Sequence, residues 1–74
     1  MKHISQTMNS LLKSLLEITF QRLNFPARVV CFSDNYNSAV LEYNGKQFYV
    51  EDIGAFIEKI QQKENLVLKE VIKL

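Results

Sequence analysis

Cys31 and His3 are the one cysteine and the one histidine of the 74 residues, so they are the first candidates for a nucleophile and its base. A cysteine becomes nucleophilic when a base within hydrogen-bond reach generates its thiolate. His3 falls in residues 1–3, which we expect to form a frayed tail. Cys31 falls in a predicted strand among apolar neighbours. The sequence therefore favours a buried structural thiol over a catalytic one.

The acidic residues and glycines form no recognisable site either. Glu51 and Asp52 are adjacent, but one ends a predicted strand and the other is a good N-cap, so their carboxylates should diverge. Catalytic or metal-binding carboxylates must converge on one point. Gly45 and Gly54 form no phosphate-binding loop, and one cysteine with one histidine cannot build a zinc site or an internal disulfide. The sequence predicts no enzyme activity, no cofactor and no metal.

Length and charge restrict the partners. Nine basic and eight acidic residues give a net charge of +1, too even to imply nucleic acid or an anionic membrane. No apolar run is long enough for a membrane span, and Lys13 and Glu17 interrupt the leucine-rich stretch that a signal peptide would need. We expect one small cytoplasmic domain, residues 1–74. A core of this size supplies roughly 3–5 kcal/mol, so self-association or a partner surface is expected to reinforce it.

The first predicted element is a helix from Ile4 to Leu23, whose apolar arc of roughly 200° is about twice what a surface helix needs. One face is predicted to pack on the core, and it carries Ile4, Met8, Leu11, Leu12, Leu15 and Ile18. Three further residues widen the arc to one side and are predicted to be available for dimerisation: Leu16, Phe20 and Leu23.

Three strands are predicted after this helix, over residues 27–33, 39–43 and 46–50. Strict alternation in the first strand places Val29 and Cys31 on one face and Val30 and Phe32 on the other. Asn44-Gly45 suits the two positive-φ positions of a type I′ turn, which joins the second and third strands as a hairpin. The resulting register puts Leu41 opposite Phe48 on the core face, and leaves Val40, Glu42, Gln47 and Tyr49 on the other face.

The C-terminal part admits two interpretations. Asp52 is expected to cap a helix in which Ile53, Phe56 and Ile60 recur at helical spacing. The segment 66–74 fits one long continuing helix better than a fourth strand, although the strand stays open. The predicted fold class is α+β: a helix, a three-stranded antiparallel β-meander and a C-terminal helix, with helix plus short fourth strand as the alternative.

The absence of a reaction centre and the surplus of apolar residues favour non-catalytic protein binding, by a small intracellular adaptor, inhibitor or regulator that acts as a homodimer or docks on a larger partner. Val40 and Tyr49 would form an exposed apolar patch if both helices cover the other face of the sheet. The alternative is that one helix covers each face of the sheet, which leaves no exposed apolar patch. Tyr36, in the polar loop 33–38, is predicted either to contact a partner or to fold back as a lid. Leu16 and Phe20 complete the predicted protein-binding residues.

Nucleic-acid binding is the alternative function. The order helix, three strands, helix resembles that of double-stranded-RNA-binding domains, which carry a lysine cluster where the second helix begins. In this sequence the corresponding stretch, residues 51–55, is E-D-I-G-A and therefore acidic. Two lysine pairs, Lys59 with Lys63 and Lys69 with Lys73, are better explained as a solvated helix face. These departures weigh against an RNA-binding role.

Overall fold

The computed structural model describes the backbone of residues 2–72 and the side chains of residues 8–72. The elements in chain order are helix α1 (Lys2–Arg22), strands β1 (Arg28–Phe32), β2 (Ala39–Tyr43) and β3 (Lys46–Val50), helix α2 (Ile53–Gln61) and strand β4 (Lys69–Glu70). The strands form one antiparallel sheet in the order β1-β2-β3-β4. The predicted α+β class is confirmed.

The β2–β3 hairpin has the predicted register. Asn44 and Gly45 have φ values of 54° and 75°, as a type I′ turn requires. Leu41 lies opposite Phe48, and Ala39 lies opposite Val50. The turn therefore fixes which side chains of both strands face the core.

A β-bulge in β1 overturns the predicted alternation of that strand. Val29 pairs with Leu41 and Cys31 pairs with Val40, so Val30 is an extra residue with no partner of its own. The extra residue shifts the alternation by one position. As a result Phe32 joins Val29 on the core side, whereas Cys31 lies on the opposite face. Its thiol is exposed, so the prediction of a buried thiol is wrong.

Up to residue 72, the C-terminal segment adopts the alternative fold with a fourth strand, so the prediction of a single long helix is wrong. Residues 73 and 74 of the predicted segment lie outside the described residues. Helix α2 ends in a Schellman motif, in which Lys63 N–H bonds the Ile60 carbonyl (3.1 Å) and Glu64 N–H bonds the Lys59 carbonyl (2.9 Å). Lys63 takes the left-handed conformation, with φ 57°, at the position that usually holds glycine. The chain then turns back and pairs β4 with β3.

Both helices pack on one face of the sheet around an aromatic cluster. The ring of Phe20 meets those of Phe25 and Phe56 edge-on, with centroids 5.6 and 5.9 Å away, and Tyr43 stacks on Phe25 at 4.6 Å. Because α1 and α2 share this core, neither helix covers the other face of the sheet. The alternative of one helix on each face is therefore wrong.

Helix α1 presents the opposite face to the core from the one predicted. Phe20 and Leu16 are buried, with 0% and 9% of their surface exposed, whereas Leu15 is 59% exposed. The Glu17 carboxylate accepts a hydrogen bond from the Val29 N–H at 2.9 Å, which ties one side of the helix to β1. Leu16 and Phe20 are core residues in this structure, so the prediction that they form an accessible dimerisation surface is wrong.

Candidate protein-binding site

The outward face of α1 carries a row of large apolar side chains, which we call the α1 seam. Its members are between 46% and 59% exposed: Met8, Leu11, Leu15 and Ile18. They follow one another at intervals of three, four and three residues, the spacing of the a and d positions of a heptad. The row runs about 15 Å along the helix. This is the geometry with which one helix packs against another.

No charged side chain borders the α1 seam between residues 8 and 21. The heptad positions next to the seam hold Leu12 and Thr19 on one side and Ser14 and Gln21 on the other. The charged residues of this stretch, Lys13 and Glu17, project elsewhere on the helix, and Glu17 contacts β1. The seam is therefore an apolar stripe with polar, uncharged borders.

The stretch of α1 from Met8 to Leu15 places no fully buried side chain in the core of its own domain. Leu16 is the first buried side chain of this helix among residues 8–72. Most helices in proteins are stabilised by tertiary packing of an apolar face. The segment from Met8 to Leu15 presents such a face to solvent, so a partner would stabilise it.

A shallow groove of about 260 Å³ continues from the seam towards the loop that joins β1 and β2. It is lined by Leu12, Leu15, Leu16, Thr19, Phe32, Tyr36 and Ile53. Leu15 belongs to both the seam and the groove, so the two form one continuous apolar surface.

Tyr36 closes one end of this groove by folding back towards the core. Its ring lies 5.3 Å from that of Phe32, yet the residue is still 38% exposed. The loop is held by its own side chains: the Asn35 side-chain oxygen accepts from the Ser33 hydroxyl (2.8 Å) and from the Asn37 N–H (3.1 Å). Tyr36 was predicted either to fold back as a lid or to contact a partner. Its contact with Phe32 agrees with the lid, and the exposed part of its ring is still accessible to a partner.

The open face of the sheet is the second apolar surface, and it is less uniform. A cross-strand row on this face runs through Cys31, Val40, Tyr49 and Lys69. Tyr49 is 42% exposed and Val40 is half-buried, as expected for a patch on an uncovered sheet. A charge stands at the end of this row, and Arg28 lies opposite Glu42 in the neighbouring one. The patch is therefore smaller and more polar than the α1 seam.

The acidic residues after β3 are explained by local structure. The Asp52 carboxylate caps α2 by accepting from the Ala55 N–H at 3.0 Å. Glu51 and Asp52 line a depression together with Lys59 and Lys69, so positive charge is not concentrated there. Within the described residues, no group of three or more histidine, cysteine, aspartate or glutamate side chains could hold a metal ion.

None of the helices in the described part of the chain has the length and apolar character needed to cross a membrane. Comparison with known proteins found no matching family model, no similar curated protein and no similar solved structure. The fold and the surface together define a small two-layer α+β protein with an apolar helix face open to solvent.

Sequence reasoning grouped the seam residues correctly on one helix face but assigned that face to the core. Two signals in the sequence favour an interhelical role: the three-four-three spacing from Met8 to Ile18, and the absence of charge beside it. Of the five predicted contact residues, the structure leaves Tyr49, Val40 and Tyr36 wholly or partly accessible, on two different surfaces.

Proposed function

We propose that this chain is a non-catalytic protein-binding module, a small adaptor, inhibitor or regulator that engages an apolar helix through the α1 seam. The observation that carries this proposal is the row of four large apolar side chains at heptad spacing, each about half exposed, on a helix whose other face holds the core. Exposed apolar patches of this kind usually mark contact surfaces. The exposed thiol of Cys31 suits a reducing compartment, which supports a cytoplasmic location.

The chemistry of the seam favours protein over nucleic acid. Binding to nucleic acid depends on lysine and arginine contacts to phosphates. The seam and the residues beside it carry no charge between residues 8 and 21, and the lysines next to α2 stand among carboxylates. An apolar helix of a protein is the partner that this surface fits.

The magnitudes indicate that the seam alone gives a weak binding site. Full burial of a leucine, isoleucine or methionine side chain contributes about 1.5–3 kcal/mol, so covering the exposed half of each seam residue contributes about 1 kcal/mol. A matching row on the partner doubles this to roughly 8 kcal/mol, against an association cost of about 4–15 kcal/mol. The seam therefore needs additional contacts, and the adjoining groove with Tyr36 is placed to supply them.

Retention of proteins on the immobilised chain tests the proposal. The bait is the wild type or the variant Leu11→Lys/Leu15→Lys. The source-cell lysate is used with and without nuclease treatment, and it is supplemented with a differently tagged copy of the chain. The matched control Ser10→Lys/Gln61→Lys adds the same two charges at exposed positions outside the seam. Far-UV circular dichroism establishes that each bait is folded.

We expect a protein, whether the tagged copy or another, to be retained in stoichiometric amount by the wild type and the control and lost from the seam variant. If the seam variant retains the same protein as the wild type in the same amount, the proposal is overturned. Retention that depends on intact nucleic acid would also overturn it, and would promote the RNA-binding alternative.

A further inference from the structure

We propose that the partner of the α1 seam is the α1 seam of a second copy, and that the two helices pair antiparallel about a twofold axis near Ser14. This inference rests on the proposed function, because it assigns the partner of the same surface.

The α1 seam is suited to pairing with itself. A twofold interface brings the same patch of both subunits together, so a charged border would meet a charge of the same sign or depend on an opposite one placed to match it. The borders of this seam are uncharged: Leu12, Ser14, Thr19 and Gln21. A second copy therefore brings apolar side chains to the seam and no like-charge repulsion to its edges.

Arg22 decides the direction of the two helices. It is exposed, it ends α1, and it stands seven residues after Leu15, which places it in the same a position of the heptad. In a parallel pair the two Arg22 side chains would face each other across the interface. In an antiparallel pair centred near residue 13 they lie about 27 Å apart along the axis. The helix dipoles are also opposed in that arrangement.

Antiparallel pairing matches the two halves of the seam. In an antiparallel pair centred near residue 13, the numbers of two facing residues add up to about 26. Met8 of one copy therefore meets Ile18 of the other, and Leu11 meets Leu15. The stretch from Met8 to Leu15 has no buried side chain, and in the pair it lies against the half of the partner's helix that the partner's core supports. The second helix also runs beside the groove that Tyr36 closes, which adds the contacts that the seam alone lacks.

The other surfaces are less suited to self-association. The outward N–H of Val29, on edge strand β1, already donates to the Glu17 carboxylate, and the bulge at Val30 interrupts the strand. Addition of a strand there would meet a blocked edge. The opposite edge, β4, is two residues long. The open face of the sheet is interrupted by charges.

Cross-linking of single cysteines tests both the partner and the direction, in a Cys31→Ser background with a short bis-maleimide. Ser14→Cys reports antiparallel pairing, since the two Ser14 positions then flank the twofold axis on the same side. Ile18→Cys reports parallel pairing, in which the two Ile18 positions face each other. Gln21→Cys borders the seam like Ser14 but lies far from its own copy in an antiparallel pair, and it controls for random collision.

We expect rapid cross-linking of Ser14→Cys into a covalent dimer, and no covalent dimer of Ile18→Cys or Gln21→Cys on the same timescale. Preferential cross-linking of Ile18→Cys would overturn the antiparallel arrangement. Equal cross-linking of all three would overturn a specific pair.

Sedimentation equilibrium of the purified chain separates this inference from the proposed function. We expect a weak dimer that dissociates between about 10 micromolar and 1 millimolar, and a monomer for Leu11→Lys/Leu15→Lys but not for Ser10→Lys/Gln61→Lys. Ser14→Glu, which sets two carboxylates beside the axis, should also dissociate the dimer, whereas Ser14→Asn should not. A wild type that stays monomeric at much higher concentration would overturn self-pairing, while seam-dependent retention of a different protein would leave the proposed function standing.

Discussion

The two apolar faces of α1 have similar residue types, but one is buried in the core and the other is exposed to solvent. The inner face places Leu16 and Phe20 in the core, whereas the seam presents Met8, Leu11 and Leu15 to solvent. Both faces show helical periodicity with large aliphatic residues. Periodicity thus indicates that a helix face will be covered, and it does not say whether the cover belongs to the same chain.

The end of the helix decides which face turns inward. The Phe25 N–H bonds the Phe20 carbonyl at 2.9 Å, and Asn24, with φ 59°, completes a Schellman motif. This motif brings the rings of Phe20 and Phe25 into contact. On the other side, Glu17 bonds to β1. These contacts fix the rotation of α1, and the seam faces outward as a result.

Phe20→Ala should have the largest effect of any change to α1. It removes the one fully buried aromatic ring of the cluster, and such truncations cost about 3–5 kcal/mol, comparable with the whole stability of so small a domain. We expect a predominantly unfolded chain by circular dichroism. The conservative Phe20→Leu should stay folded with a lower urea midpoint. A Phe20→Ala midpoint equal to that of the wild type would mean that the inner face is not the core.

The adjacent pair Leu15 and Leu16 compares the two faces directly. Leu16→Ala should lower the free energy of unfolding by about 2–5 kcal/mol, whereas Leu15→Ala, measured at high dilution, should change it by about 0.5 kcal/mol or less. At high concentration the wild-type melting temperature should rise, and Leu15→Ala should weaken that rise. Equal effects of the two substitutions at dilution would erase the distinction between the faces.

Glu17→Ala should have an intermediate effect, because it leaves the partly buried Val29 N–H without an acceptor. We expect a loss of about 1–3 kcal/mol in the free energy of unfolding by urea titration. Glu17→Gln retains a side-chain oxygen and serves as the matched variant, with a smaller loss. If both variants are as stable as the wild type, the bond to β1 does not fix the helix rotation.

Tyr49→Glu should have the smallest effect. The residue is exposed on the open face of the sheet, so the free energy of unfolding should change by no more than about 0.5 kcal/mol. Self-association should also be unchanged, because α1 lies on the other side of the sheet. A loss of the dimer in sedimentation, with the fold retained, would instead make the sheet face the interface.

The order of the elements was predictable because local signals are strong. Asn44-Gly45 determines the hairpin register, and Asp52 marks the start of α2. The end of α2 was not predictable, because Lys63 adopts the left-handed conformation that ends the helix. A glycine at this position would have indicated the helix end in the sequence. The bulge at Val30 and the rotation of α1 depend on contacts between elements distant in sequence.

The candidate site was predicted in part. The open sheet face follows from the hairpin register once both helices share one layer, so the sequence predicted that Val40 and Tyr49 lie on it. Their role in binding stays a prediction. The seam residues were grouped together, but their exposure depends on which face the aromatic cluster around Phe20 selects. Which face of α1 packs on the core depends on tertiary contacts, and the spacing of apolar residues along the sequence does not determine it.

The hydrogen bond from Val29 to Glu17 also bears on how the chain avoids polymerising. A helix–helix pair with a twofold axis closes on itself after two subunits, whereas strands that add edge to edge have no natural end and lead to fibres. Glu17 places a negative charge against the one long free edge of the sheet, and the bulge beside it disturbs the flatness that stacking strands need. The Glu17 carboxylate that orients α1 thus also blocks the addition of further strands at the edge of the sheet. A variant without this carboxylate should form aggregates that bind amyloid dyes on prolonged incubation.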